Sequence, residues 1–343
     1  MTNRFSPEST KMQAVIIAGG KGTRLAPLTY SNPKPMLPLV ERPFLAWLVA
    51  RCRLAGITDI LMNVHYQGHQ VQEYFHDGRD FGVQIRYIEE AEPLGTAGAM
   101  KLAEPYFTGE PLVVFNADIL TDLNLQALIQ AHQQLKAKAT LALSRVDNPT
   151  AYGLVELEPS PASGEVPGRA EIQEVKAFRE KPSAAEAAQL GIDTINAGTY
   201  VLEPDVFKDY PVGAPLSFEQ TVFPGLLEKK QLMAGFIWDG YWLDVGTPAK
   251  YYQGHLDILA GKMPYDLSAI AQEKAPGIWV AASAIVDPAA RLEGPCYIGK
   301  HVRLGPEAAV PGGTLIGANS IIEQPLTPGI YPSGTLAVAG SKL

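Results

Sequence analysis

Beyond about Gly277 the chain places an aliphatic residue at every sixth position: Val280, Val286, Leu292, Ile298, Leu304, Val310, Ile316 and Ile322. Two positions before each stands Ile278, Ala284, Ala290, Cys296, Val302, Ala308, Thr314 or Ser320, mostly small residues. Few folds accept so strict a period. A parallel β-helix of triangular section does, because on each flat face an aliphatic side chain fills the prism and a small one fits near a corner. The repeats therefore predict two to three coils of a short left-handed parallel β-helix over residues 277–325. Such a solenoid supports assembly more readily than chemistry, so a homo-oligomer is expected and the chemistry is to be sought upstream.

The 343 residues have room for about two domains at roughly 100 to 200 residues each. The first is expected over residues 12–260. From Gln13 the chain reads Ala-Val-Ile-Ile-Ala-Gly-Gly, an apolar run ending in glycines, as where a buried parallel strand meets a phosphate-binding turn. Similar runs recur at Asp59–Val64, Gln84–Ile88, Pro111–Phe115, Thr140–Leu143 and Thr199–Leu202, with helix-like stretches such as Phe44–Ala55 and Asn124–Lys136 between them. This alternation predicts an α/β domain with a doubly wound, mostly parallel, Rossmann-like sheet. The Pro, Ser and Gly-rich segment Glu158–Gly168 reads as an exposed hairpin loop within it.

Acidic residues outnumber basic ones by 36 to 28, a net charge of -8, which disfavours a nucleic acid or an anionic bilayer as partner. Any phosphate ligand must be held by locally placed cations and backbone N–H groups. The two cysteines, Cys52 and Cys296, stand far apart without neighbours at metal-ligand spacing, so neither a disulfide framework nor a zinc site is expected. Residues Met1–Lys11 are polar and no long uncharged apolar run occurs, so a cytoplasmic location with no membrane contact is expected.

The densest chemical signal is Ala18-Gly19-Gly20-Lys21-Gly22-Thr23-Arg24, followed by Pro33-Lys34-Pro35. Glycines directly after a strand let backbone N–H groups approach phosphate oxygens, and Arg24 and Lys34 can offset the charge of a triphosphate. The spacing differs from the dinucleotide fingerprint, and the Gly-Lys-Ser/Thr ending of the P-loop is missing. Both points weaken a dehydrogenase or a P-loop hydrolase. The whole stretch GGKGTRLAPLTYSNPKPMLPL resembles the signature of the sugar-phosphate nucleotidylyltransferases, and the resemblance runs from Met12 to about Leu259. It implies that Arg24 assists departure of pyrophosphate and that Lys34 contacts phosphates.

Further segments match the family. Glu89-Glu90-Ala91-Glu92-Pro93-Leu94-Gly95-Thr96 resembles its base-reading loop, which implies nucleotide contacts at Glu90, Gly95 and Thr96. Relatives that use a pyrimidine carry an amide near Glu90. A carboxylate there matches the two adjacent donors of guanine, N1–H and the N2 amino group, and would oppose a pyrimidine carbonyl. By sequence Glu89 and Glu92 compete with Glu90 for the inward place. Asp118, after Phe115-Asn116-Ala117, and Asp244, in Gly240-Tyr241-Trp242-Leu243-Asp244, match the motifs that hold the family's metal carboxylates; Ala117 replaces the Gly or Ser often found there. Two carboxylates at strand ends suit Mg²⁺. Gly153, Glu180, Lys181 and Asn196 match the sugar-phosphate motifs, which implies that Lys181 holds the phosphate while Glu180, Asn196 and the Gly153 backbone contact the sugar.

The resemblance thus implies an enzyme joining a nucleoside triphosphate to a sugar 1-phosphate, with GTP and mannose 1-phosphate as the expected pair. Glucose 1-phosphate with UTP or dTTP is the alternative substrate set, and a non-catalytic sensor subunit the alternative of another class; the full set Arg24, Lys34, Asp118, Lys181 and Asp244 argues against the sensor. His65 and His69 have the spacing of paired helical ligands, but the intervening Gly68 favours a loop without metal. Trp242 and Tyr251-Tyr252 are expected to pack around Asp244.

Overall fold

The computed structural model describes residues 12–159, 164–166, 170–180 and 190–338. Contacts divide the chain into two units, the first running to Met36 and then over Phe44–Trp242, the second comprising Leu37–Pro43 and Leu243 onward. The division departs from the expected boundary near residue 260. The helix Pro248–Leu259 belongs to the second unit, and so does a hairpin of Pro38–Leu39 with Arg42–Pro43.

In the first unit Gln84–Glu89, Asp59–Val64, Gln13–Ile17 and Leu112–Asn116 lie side by side and parallel, in that order. Ala14 and Ile16 face a core shared with Leu45, Leu48 and Cys52 of the helix Phe44–Leu54 and with Leu128 of the helix Leu125–Leu135. Val15 faces the opposite core, with Met100 of the helix Gly95–Ala103 and with Phe218 and Phe223. A strand buried on both faces must be apolar throughout, which is why its sequence does not alternate. Asn124 caps the helix Leu125–Leu135 by accepting from Ala127 N at 3.1 Å, and Lys136, at φ 52°, ends it.

The parallel winding stops at Leu112–Asn116. The next strand, Thr194–Leu202, is antiparallel both to it and to Ala139–Arg145, and the sheet is mixed beyond this point rather than uniformly doubly wound. Between Ala139–Arg145 and Thr194–Leu202 the chain contributes Gly153–Glu158 and Ala170–Glu180, which form an antiparallel pair. The expected loop Glu158–Gly168 contains a strand, Gly164–Val166, paired with Ala170–Ile172, while residues 160–163 and 167–169 lie outside the description.

In the second unit Ile278 pairs with Cys296 and Cys296 with Thr314, Val286 with Leu304 and Leu304 with Ile322, and Leu292 with Val310. Each step is eighteen residues and parallel, so three strands of the six-residue repeat make one turn. These strands fit a β-helix. Both repeat series point inward, with Val280, Ile298, Leu304, Val310, Ile316 and Ile322 buried beside Cys296, Val302 and Ala308. Pairing continues past residue 325: Thr314 meets Gly329 and Ile322 meets Ala337. This last step is fifteen residues, which hides it from a count of sixes.

The hairpin Pro38–Pro43 is tied into this unit by side chains. The Tyr251 hydroxyl donates to Pro38 O, the Tyr265 hydroxyl to Leu39 O at 3.1 Å, and Lys300 N to Glu41 Oε1 at 3.1 Å. Tyr252 donates to Gly313 O at 2.6 Å, within the coil. The hydroxyls of the tyrosine pair therefore serve the hairpin and the repeats. Among the described residues no helix is long and apolar enough to cross a membrane.

Candidate active site

The glycine turn begins where the first strand leaves the sheet. Ala18 N still donates to Asn63 O at 2.9 Å, and the chain then bends through Gly19 and Gly20. A Cβ on Gly19 would stand 3.1 Å from Glu90 Oε1 and 3.2 Å from His65 Cβ. Gly22 has φ +61°, and a Cβ there would lie 2.9 Å from Lys34 Cβ. Thr29 closes the loop by donating to Gly22 O at 3.0 Å. Thr23 and Arg24 are exposed on the short helix Thr23–Leu25, and among the described residues Arg24 makes no hydrogen bond or ion pair. Gly22→Ala is expected to cost about 1–3 kcal/mol of stability and to raise the KM for the nucleotide, as read by thermal melting and steady-state kinetics.

Lys34 and Asp118, 84 residues apart in sequence, meet in an ion pair of 2.7 Å. Asp118 sits in the turn between Leu112–Asn116 and Ile119–Thr121, and the neighbouring Ala117 N donates to Ile17 O at 3.2 Å, lacing this strand end to the glycine turn. The structure thus gathers the turn, Lys34 and Asp118 at the ends of two adjacent parallel strands, where an α/β sheet presents its ligands.

Of the three glutamates, Glu90 turns inward. It is 8% exposed, and its Oε2 accepts from Leu94 N at 3.1 Å. Glu89 is exposed and accepts from Gln72 Nε2 at 2.7 Å, and Glu92 is exposed. Burial raises the Glu90 pKa above the ordinary carboxyl range, while the Leu94 N–H and the nearby His65 pull it back down. His65 Nδ1 donates to Glu90 O at 2.8 Å. His69 lies on the helix Gly68–Phe75 instead of in the expected loop. Gly95, at φ +72°, begins the helix Gly95–Ala103, and a Cβ on it would strike Leu216 O at 2.6 Å. Thr96 Oγ1 accepts from Phe218 N at 3.2 Å, so both residues also fasten the segment that leads into Phe218.

Strand register gathers the expected sugar residues. Glu180 pairs with Gly153, and Leu154 pairs with Ile195, so the backbone at Gly153, Glu180 and Asn196 lies on three adjoining strands. Lys181 falls outside the described residues. Asn196 is already engaged: its Nδ2 donates to the Tyr200 hydroxyl at 2.8 Å and to Glu219 Oε1 at 2.9 Å, and its Oδ1 accepts from Gly198 N at 3.0 Å. Both side-chain N–H groups of Asn196 are therefore used within the protein. Sequence reasoning missed Glu219 and Tyr200. Ser217 and Gln220 form a recognisable helix cap, but nothing in the residue types marks where Glu219 points.

Comparison with known proteins bears on this arrangement. The family signature described as "Nucleotidyl transferase" matches residues 13–261, from the first strand to just past the helix Pro248–Leu259. The chain belongs to the nucleotidyl transferase family. It is 34% identical over 320 residues to a mannose-1-phosphate guanylyltransferase of Mycobacterium tuberculosis, covering 92% of this chain and 84% of that one. It is 29% identical to a UTP–glucose-1-phosphate uridylyltransferase of Synechocystis, covering 91% and 80%. Among solved structures, HddC of Yersinia pseudotuberculosis complexed with GMP-PN aligns with a TM-score of 0.58 at 27% identity, covering 72% of this chain and 99% of that one.

In this nucleotidyl transferase Asp122 ties down the segment that ends the first unit. Asp122 Oδ1 accepts from Trp238 Nε1 at 2.6 Å and from Tyr241 N at 2.8 Å, and Trp242 Nε1 donates to Ala197 O at 3.1 Å. Two residues later Asp244 ends the strand Trp242–Asp244 and is counted with the second unit. No group of three or more His, Cys, Asp or Glu side chains converges among the described residues.

Proposed function

We propose that this chain joins GTP to mannose 1-phosphate, giving GDP-mannose and pyrophosphate. The observation that carries the reading is the inward turn of Glu90, a buried carboxylate beside Gly19. Its two oxygens match the adjacent donors of guanine, and the like polarity of a pyrimidine carbonyl opposes UTP and dTTP. The guanylyltransferase relative and the structure complexed with GMP-PN support the same base.

An oxygen of the sugar phosphate attacks the α-phosphorus in line while pyrophosphate leaves opposite. The attacking oxygen is already anionic, so the task is alignment and charge neutralisation, with no covalent enzyme intermediate. Lys34 and the N–H groups of the glycine turn hold the triphosphate, Arg24 neutralises the leaving pyrophosphate, and Lys181 holds the sugar phosphate. Asp118 and Asp244 would hold Mg²⁺, which supplies charge neutralisation at the phosphates when bound. The same reading takes the repeats as a left-handed parallel β-helix, supported by the eighteen-residue register.

Incubation with GTP, UTP, dTTP and ATP against mannose and glucose 1-phosphates, read as pyrophosphate release, tests the assignment. GTP with mannose 1-phosphate is expected to give the highest kcat/KM. The second reading, UTP or dTTP with glucose 1-phosphate, is favoured by the uridylyltransferase relative. A faster reaction with that pair would replace the first.

A further inference from the structure

We propose that Glu219 is a specificity residue that accepts hydrogen bonds from a vicinal hydroxyl pair of the sugar 1-phosphate, with Asn196 fixing its carboxylate in place. The inference rests on the sugar 1-phosphate reading above and deepens it.

Asn196 has no N–H left to donate, because both go to Tyr200 and Glu219. Its Oδ1 keeps one acceptor site beyond Gly198 N, and Glu219 adds a carboxylate beside it. Its Oε1 accepts from Asn196 Nδ2 at 2.9 Å and its Oε2 from Ser217 Oγ at 2.9 Å. A carboxylate has about four acceptor sites, so each oxygen keeps room for one more donor. Adjacent ring hydroxyls supply two donors at a matching separation. Glu219 is half-buried, which leaves it within reach of a solute.

Its placement is fixed rather than fluid. Glu219 lies in the first turn of a π-helical segment, Phe218–Val222, a form concentrated at functional sites. Phe218 is fully buried, stacks on Phe223 at 5.1 Å and donates its N–H to Thr96 Oγ1. Ser217 caps the segment by accepting from Gln220 N at 3.2 Å. An ordinary surface glutamate has no such support.

The network also reaches the strand end that carries Asp118. Tyr200 is fully buried, and its hydroxyl pKa is raised mainly by burial, with the charges of Glu219 and Asp118 adding to it. Asn116, two residues before Asp118, approaches the bend at Gly198: a Cβ on Gly198 would lie 3.0 Å from Asn116 Nδ2. Asn116 Oδ1 is buried and has no hydrogen-bond partner among the described residues. The corner is therefore rich in acceptors, and a polyol answers it with donors.

The test compares wild type with Glu219→Gln, using GTP, mannose 1-phosphate and its monodeoxy analogues. Losing a charge-assisted bond should raise the KM for mannose 1-phosphate roughly tenfold to a hundredfold, with the KM for GTP within about twofold. One or more deoxy analogues should be penalised by a similar factor in wild type and show no further penalty in the variant, as coupled partners do. Ser217→Ala, which removes the donor on Oε2 together with the cap to Gln220 N, should raise the KM for the sugar phosphate a few-fold and weaken discrimination at the same analogue. If wild type is active and either variant, folded by its melting curve, keeps the wild-type pattern of deoxy penalties, the Glu219 assignment alone is overturned. If wild type neither binds nor consumes any hexose 1-phosphate, both readings fall together.

Discussion

Asp118→Asn should lower turnover by on the order of a thousandfold or more while the protein still melts as a folded chain. The side chain keeps its shape and loses its charge. That charge balances Lys34 at 2.7 Å, across a pair whose side chains are 12% and 32% exposed. On the proposed reading Lys34 would turn to the phosphates of a bound triphosphate and Asp118 would then be free to help hold Mg²⁺. The amide would weaken both the balancing and the cation binding. Lys34→Gln should behave differently, raising the KM for the nucleotide as well as slowing the reaction, because it removes the phosphate contact itself. Steady-state kinetics on both variants would check this. Activity of Asp118→Asn within about tenfold of wild type would remove Asp118 from the chemistry.

Glu90→Gln should cut the preference for GTP over UTP by roughly tenfold to a hundredfold, as expected for a lost hydrogen bond to a charged group. A pH dependence follows from the same residue. Burial lifts the Glu90 pKa above its unfolded value, so the stability it contributes is fully present below the unfolded pKa and is lost as the pH rises from there through the folded pKa. At neutral pH the glutamine variant should melt at the wild-type temperature or above it, and the difference should close in acid. On the proposed reading guanine is bound by the ionised carboxylate, so the KM for GTP in wild type should climb as the pH falls through that raised value. The variant should show no such climb. Melting curves and kinetics over the same pH range test both statements, and a wild-type GTP response as flat as the variant's would count against Glu90 as the base reader.

The repeat unit was legible because its inward positions obey one strict spacing, and both the aliphatic and the small series are buried as that spacing requires. Its final coil was not, since the step from Thr314 to Gly329 drops three residues. Strand runs were placed well, yet the reversal at Thr194–Leu202 was hidden: a strand buried on both faces has an apolar sequence that carries no direction. The glycine turn with Lys34 could be read locally, because its residue types serve phosphate in any fold. The choice of Glu90 over Glu89 and Glu92 could not, as it depends on a loop path fixed by the Leu94 N–H. Glu219 was invisible for a similar reason. Its partner Asn196 is 23 residues away and is brought to it by the sheet.

The hairpin Leu37–Pro43 follows Lys34 by only a few residues, yet its hydrogen bonds go to Tyr251, Tyr265 and Lys300. The gene therefore cannot be cut near codon 260 into two self-sufficient halves. A fragment ending there would keep Lys34 but strand the neighbouring segment without its Tyr265 and Lys300 anchors, and recombination between relatives would have to exchange Leu37–Pro43 together with the segment from Leu243 onward.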